Sequence, residues 1–221
     1  MFENHRNIVV VAPHPDDEVL GAGGTIARLS AKGADVRVLI VTRGEDEGLT
    51  KKNRSDALSA HRILGVKDTR FLDFPAAGLD RVPHADLNRV LKEALNDWAP
   101  DILFLPFPGD IHRDHKAVFE SSLVAVRPNK EKYPRLIACY ETLSETFWNA
   151  PFSEPFFKPD IFFSIEGFLE IKIEAFEKFS LQIQTWPHER SRQGIENLAR
   201  NRGGIVSLKA AEAFVLVRYV G

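Results

Sequence analysis

Apolar and polar positions alternate along this chain in blocks. Ile8-Val9-Val10-Val11-Ala12 is a short, wholly apolar run, the pattern of a strand covered on both faces. The polar stretch Pro13 to Glu18 follows, and then Val19 to Ala31, where Leu20, Ile26 and Leu29 suit a helix packed on a sheet. Val36 to Val41 repeats the buried-strand pattern, and Arg54 to Leu64 reads as a second helix stopped by Gly65. Phe71-Leu72 marks a weaker third strand. The clearest helix carries Leu87, Val90, Leu91, Ala94, Leu95 and Trp98 on one face and ends before Pro100. Ile102 to Leu105 again reads as a buried strand, and His115 to Val126 as a helix. Leu136 to Tyr140 and Ile161 to Ile165 follow as strands. Phe168, Ile171, Ala175, Phe176 and Phe179 then share a helical face. Glu189 to Arg200 continues as helix, and Ala213 to Val220 fits a final strand.

Strand and helix in alternation, with strands buried on both faces, predict an α/β fold in three layers around a largely parallel sheet. Functional sites in such sheets gather at the carboxyl ends of the strands. No repeat, low-complexity tract or linker divides the sequence, so residues 1–221 are expected to form a single domain. The 29 basic and 31 acidic side chains give a formal charge of −2, without the basic excess of a general nucleic-acid binder. No apolar run approaches the ~20 residues that span a bilayer. The stretch from Met1 to Glu18 holds one short apolar run and then charge, which is not the pattern of a signal peptide. The single cysteine, Cys139, lies in an apolar run and reads as a buried, inert thiol. These features predict a cytoplasmic protein.

Chemistry concentrates after two of the expected strands. Pro13-His14-Pro15-Asp16-Asp17-Glu18 crowds one imidazole and three carboxylates at a strand end, where charge is costly unless paired or bound to metal. The acids alone fit a helix N-terminus, where they offset the macrodipole. That reading leaves unexplained a histidine fixed between two prolines. The second stretch, Asp110-Ile111-His112-Arg113-Asp114-His115, follows the strand Ile102 to Leu105 and holds two histidines at i, i+3. Taken alone it reads equally as surface histidines at a helix start. Taken together, the stretches can supply His and Asp ligands to one metal with a coordination position left for water. Gly21-Ala22-Gly23-Gly24 does not complete a dinucleotide fingerprint, since the third glycine would fall on Ile26; close packing of helix on sheet is expected instead.

The stretch Ala12 to Glu18, followed by Gly21 to Thr25, resembles the opening signature of the PIG-L (LmbE-like) zinc de-N-acetylases, and Asp110 to His115 is similar to their second motif. Further similarity runs through Leu64-Gly65-Val66, Phe156 to Pro159, Arg202-Gly203-Gly204 and Ala211 to Phe214. The resemblance implies a Rossmann-like fold and a metal-dependent hydrolase that removes the N-acetyl group from an amino sugar. Such a sugar can belong to a GlcNAc-type glycoside, a nucleotide sugar or a glycolipid. It implies His14, Asp17 and His115 as ligands of Zn2+, with Fe2+ an alternative for the same donors. It implies Asp16 as general base, and His112, held by Asp114, as the cationic group that stabilises the oxyanion. It also makes a homo-oligomer plausible. The alternatives are a non-catalytic sugar- or nucleotide-binding module and a metal-dependent amidase or esterase.

The chain departs from the family where substrate is fitted. The family's arginine before the second helix meets Asn53 beside Arg54, its acid after the third strand meets Ala76, and its aromatic-x-Ser-Gln reads Phe179-Ser180-Leu181-Gln182. Arg43, Arg54, Arg190, Arg192 and Arg202 are candidates to hold a phosphate, each weighed against an ordinary surface arginine, with Arg54 foremost. Trp148 is the candidate aromatic wall of the site.

Overall fold

The computed structural model describes residues 6–129, 132–150, 152 and 155–221. The opening residues 1–5, which entered the signal-peptide reading, lie outside the described residues.

Seven strands form one sheet in the order β3-β2-β1-β4-β5-β7-β6. The strands are β1 (Asn7–Ala12), β2 (Asp35–Arg43), β3 (Asp68–Pro75), β4 (Ile102–Pro106), β5 (Leu136–Tyr140), β6 (Ile161–Ser164) and β7 (Ala211–Tyr219). The first five pair in parallel, and β7 runs antiparallel between β5 and β6. The helices are α1 (Asp17–Ala31), α2 (Glu47–Leu64), α3 (His84–Trp98), α4 (Arg113–Ala125), α5 (Leu169–Phe176) and α6 (Arg192–Ile205).

The uniformly apolar strands are what two covered faces require. Along β1, Ile8, Val10 and Ala12 join one core with Leu20 and Ile26 of α1, Leu64 of α2 and Phe176 of α5. Val9 and Val11 join the other core with Leu87, Leu91 and Trp98 of α3 and Val118 of α4. Successive side chains point to opposite faces, so one strand serves both layers. The expected three-layer α/β architecture is the one observed.

Element edges moved where polar caps, not apolar period, set them. α2 begins at Glu47 rather than near Arg54, because the Asp46 carboxylate accepts from the Leu49 amide at 2.8 Å and nucleates a stretch in which Leu49 is the single apolar residue before Arg54. It ends as expected at Gly65, whose φ of 73° is the left-handed region that favours glycine. α6 starts at Arg192, where Ser191 caps the Gly194 amide. The glycines of α1 make room: a Cβ on Gly21 would sit 2.1 Å from the Tyr140 ring, and one on Gly24 would sit 2.7 Å from Ile165.

Strand order reverses beside β1, since the chain passes from β1 to β2 on one side and later returns to β4 on the other. The crevice at the carboxyl ends of β1 and β4 is therefore the place where this topology leaves room for a ligand. Both polar motifs emerge there.

Candidate metal centre and active site

β1 delivers Pro13 to Asp16 as a tight connection into α1. The Thr42 hydroxyl and amide, at the end of β2, both donate to the Pro13 carbonyl, which fixes the loop against the neighbouring strand. Asp16 takes φ 126°, a conformation that L residues rarely adopt. It is held there from several directions. Its carbonyl accepts from the Val19 and Leu20 amides, and its amide donates to Glu18 Oε2 at 3.2 Å. Glu18 is fully buried, its other oxygen lies 2.9 Å from His61 Nε2, and His61 Nδ1 lies 2.8 Å from the Thr69 hydroxyl. A chain of buried polar contacts thus ties the strained residue to α2 and β3. Strain of about 1–3 kcal/mol persists only where the surroundings over-determine it, and such places cluster at functional sites.

His14, Asp17 and His115 converge. Asp17 Oδ2 lies 3.2 Å from His14 Nδ1 and 3.3 Å from His115 Nε2. The outer nitrogen of each imidazole meets another carboxylate: His14 Nε2 lies 3.0 Å from Asp114, and His115 Nδ1 lies 2.7 Å from Asp110. Asp110 is steadied in turn by the Thr146 hydroxyl at 2.7 Å. This is how histidine ligands are held in metal sites, with the outer nitrogen fixed and the inner one presented. Within the group, His115 Nε2 is fully buried and, among the described residues, faces only the Asp17 carboxylate, with no well-formed hydrogen bond. A buried ring nitrogen and a buried carboxylate oxygen facing each other without a well-formed hydrogen bond are what a bound cation would satisfy, and two imidazoles with one carboxylate suit a divalent ion. His14, Asp17 and His115 could therefore hold a metal. A second grouping, His14, His112 and Asp114, is close enough geometrically, but Asp114 is already committed elsewhere.

The carboxylate of Asp114 accepts from the Ala77 and Leu79 amides at 2.8 and 3.1 Å, besides facing His14. This differs from the expectation that Asp114 holds His112. His112 Nδ1 stands 3.9 Å from that carboxylate and instead accepts from the Asp114 backbone amide at 3.2 Å, as the cap of α4. The α4 start turns the carboxylate inward, towards His14 and the β3–α3 connection. His112 thus keeps its proton on Nε2 when neutral, and its ring meets that of His14 edge to face at 4.4 Å.

Burial and the surrounding charges sort these groups. Burial lowers His14, but its bonds to Asp114 and Asp17 outweigh this and hold it at about 9. His115 is likewise raised, the carboxylates of Asp17 and Asp110 overcoming burial. Asp17 is driven down, because the charges of its two histidines exceed the cost of burial. Asp16 goes the other way: burial and then the charge of Asp17 raise it, partly offset by Arg190. His112 is lowered by burial and by His14. Adjacent carboxylates with opposite shifts are suited to different tasks, one to bind a cation and one to exchange a proton.

These residues open onto a cleft of about 260 Å³ lined by His14, Asp16, Arg43, Asn53, His112 and Arg190, among others. Arg43, one of the candidate arginines, is among the lining residues. Arg54 is not in the lining: it pairs with Asp73 and lies over the Phe71 ring, 5.0 Å from its centroid. Trp148 is also outside the lining, exposed, with its ring 5.6 Å from His188. The arginine that the structure brings inside is Arg190. It reaches Asp16 Oδ2 at 3.1 Å and Gln182 Oε1 at 2.8 Å, beside Glu145. No local motif marks Arg190; the signal that existed was Gln182, in the aromatic-x-Ser-Gln stretch.

The family described as PIG-L, GlcNAc-PI de-N-acetylase, matches residues 9–126. The uncharacterized deacetylase YaiS of Escherichia coli K12 is 29% identical over 184 residues, covering 78% of this chain and 90% of its own. A probable N-acetyl-alpha-D-glucosaminyl L-malate deacetylase 2 of Bacillus subtilis is 26% identical, covering 81% of this chain and 84% of its own. Among solved structures, the conserved protein TT1542 from Thermus thermophilus superposes with a TM-score of 0.79 at 28% identity, over 97% of this chain and 96% of its own.

Proposed function

The chain belongs to the PIG-L family, and from that premise we propose that it is a zinc-dependent de-N-acetylase acting on an N-acetylated amino sugar. The observation that carries the reading is the convergence of His14, Asp17 and His115, each histidine backed by a carboxylate, beside Asp16 in an open cleft. Relatives described as deacetylases of N-acetylglucosaminyl malate and of diacetylchitobiose support the sugar as substrate class. Among the described residues no helix is long and apolar enough to cross a membrane. A cytoplasmic setting, a single domain over residues 1–221 and a homo-oligomeric assembly belong to the same proposal.

In this reading His14 Nδ1, Asp17 Oδ2 and His115 Nε2 hold the metal. When bound, it supplies a Lewis acid that lowers the pKa of water to about 7 and polarises the acetyl carbonyl. Asp16 is the general base: burial and Asp17 raise its proton affinity, so it takes a proton from the attacking water. Attack breaks the carbonyl π bond and leaves negative charge on the acetyl oxygen. The His112 Nε2–H donates to that oxygen as a hydrogen-bonding group. The proton gathered by Asp16 then passes to the sugar nitrogen as the carbon–nitrogen bond breaks. One amide and one water become acetate and a primary amine. Asp114 and Asp110 move no proton; they hold His14 and His115 in the ligating tautomer.

The test is acetate release. Zinc-loaded protein is incubated with N-acetylglucosamine, diacetylchitobiose, N-acetylglucosaminyl malate and, as a non-sugar amide, N-acetyl-lysine. We expect acetate from at least one sugar and little from the lysine derivative, with activity lost on chelation and restored by zinc. Acetate from none of the sugars, or equal release from the lysine derivative, would overturn the reading.

A further inference from the structure

Arg190 is a residue of the cleft wall that the chemistry above leaves without a role and that touches the proposed base. Its side chain is 13% exposed and each nitrogen has a defined direction. Nε donates to the Ser144 hydroxyl at 2.7 Å; Nη1 donates to Asp16 Oδ2 at 3.1 Å and to Gln182 Oε1 at 2.8 Å; Nη2 reaches Glu145 Oε1 at 3.4 Å. The backbone is fixed as well: the Arg190 amide donates to His188 Nδ1 at 3.0 Å, and its carbonyl accepts from the Gln184 amide. The Ser144 anchor is itself held, since its amide donates to Glu189 Oε2 at 2.6 Å. A planar guanidinium pinned at this many points behaves as a rigid fork.

The target of that fork is Asp16, 174 positions earlier in the chain. Asp16 is 3% exposed beside two other acids, Asp17 and Glu18. Its backbone is clamped at φ 126°, but among the described residues its side chain has Arg190 as its charged partner. A buried carboxylate with two acidic neighbours and no fixed partner turns away from them, and misplacement by about 1 Å can cost on the order of 10²-fold in rate.

We infer that Arg190 is the positioning residue for Asp16: one guanidinium N–H holds Oδ2 so that the other oxygen stays aimed into the cleft, and Ser144 and Gln182 hold the guanidinium. This rests on the reading of Asp16 as the base. It implies an effect on kcat with little on KM, and none once Asp16 is gone.

The experiment is a double-mutant cycle with a structural arm. Arg190→Ala is expected to keep its metal content and a cooperative unfolding transition, at a lowered thermal midpoint, to lower kcat about 10- to 100-fold and to change KM less than threefold. Guanidinium ion added at millimolar concentration should restore part of the rate. In the Asp16→Asn background, Arg190→Ala should have no further effect, because the two act as one unit. A raised KM at unchanged kcat, or full additivity in the cycle, would overturn the inference. The crystal structure of Arg190→Ala decides independently of activity: the Asp16 carboxylate should change rotamer while His14, Asp17 and His115 stay in place, and an unmoved Asp16 would refute the role. Failure of the wild type to release acetate would instead count against the proposed function alone.

Discussion

The cleft has two walls of different construction. One is made of two short continuous stretches, Pro13 to Glu18 after β1 and Asp110 to His115 after β4. The other is assembled from Ser144 and Glu145 of the β5–β6 connection and Gln182 and Arg190 of the α5–α6 connection, which meet only in the folded chain. In the first wall a strand end and the first turn of a helix set the spacing, so His14 and Asp17 meet because they are i, i+3. In the second, spacing along the chain says nothing; Arg190 meets Asp16 because a distant segment folds over the strand ends. The first wall is built to hold a cation, and the second to aim a side chain. Substitutions should therefore fail differently on the two sides.

The largest expected contrast lies within the first wall. His115→Ala should reduce metal content from about one per chain to near zero and take activity to background, because the group loses one of its two imidazole ligands. Asp16→Asn should keep the metal and lower kcat by about 10²–10⁴-fold, the scale of a general base. Metal analysis by mass spectrometry beside steady-state kinetics separates the two. Loss of metal in Asp16→Asn, or retention in His115→Ala, would break the division between ligand and base. Asp110→Asn comes next: it leaves every ligand in place but unhitches His115 Nδ1, and should weaken zinc binding about 10- to 100-fold in a chelator competition. Unchanged affinity would mean that the 2.7 Å contact does not orient the ligand.

The same division explains what could be read from the sequence. The apolar runs of β1, β2, β4 and β5 were legible because burial on both faces leaves no room for polar residues. The start of α2 was not, because the Asp46 cap, with no apolar period, makes the helix there. The convergence of His14, Asp17 and His115 could be anticipated, since each lies within a motif anchored to a strand. The partner of Asp114 could not: a carboxylate two residues from His112 points to His14 and two loop amides once α4 sets its direction. Arg54 followed a strand that faces the site, yet Asp73 and the Phe71 ring draw it aside.

The smallest effect is also the one that reports on the ligand group directly. In metal-free protein His14 is held at about 9 against an ordinary 6.5, burial being outweighed by Asp114 and Asp17. A histidine raised on folding stabilises the fold fully below pH 6.5 and loses that contribution as pH climbs through 9, a span of roughly 3 kcal/mol at most. His115 is raised too and adds the same sign. Asp16, raised by burial and by Asp17, acts in the same sense from pH 3.8 upward, whereas Asp17 is driven below 3.8 and contributes a constant across this window. Metal binding runs opposite, because the ligands must shed those protons: zinc affinity should rise from pH 6.5 to 9, by up to about tenfold per unit for each proton displaced. The Tm of the metal-free protein should therefore fall over the interval in which the zinc dissociation constant tightens. A metal-free Tm that stays flat or rises from pH 6.5 to 9 would show that the histidines are not held charged by their carboxylates, and the orienting role given to Asp114 and Asp110 would go with it.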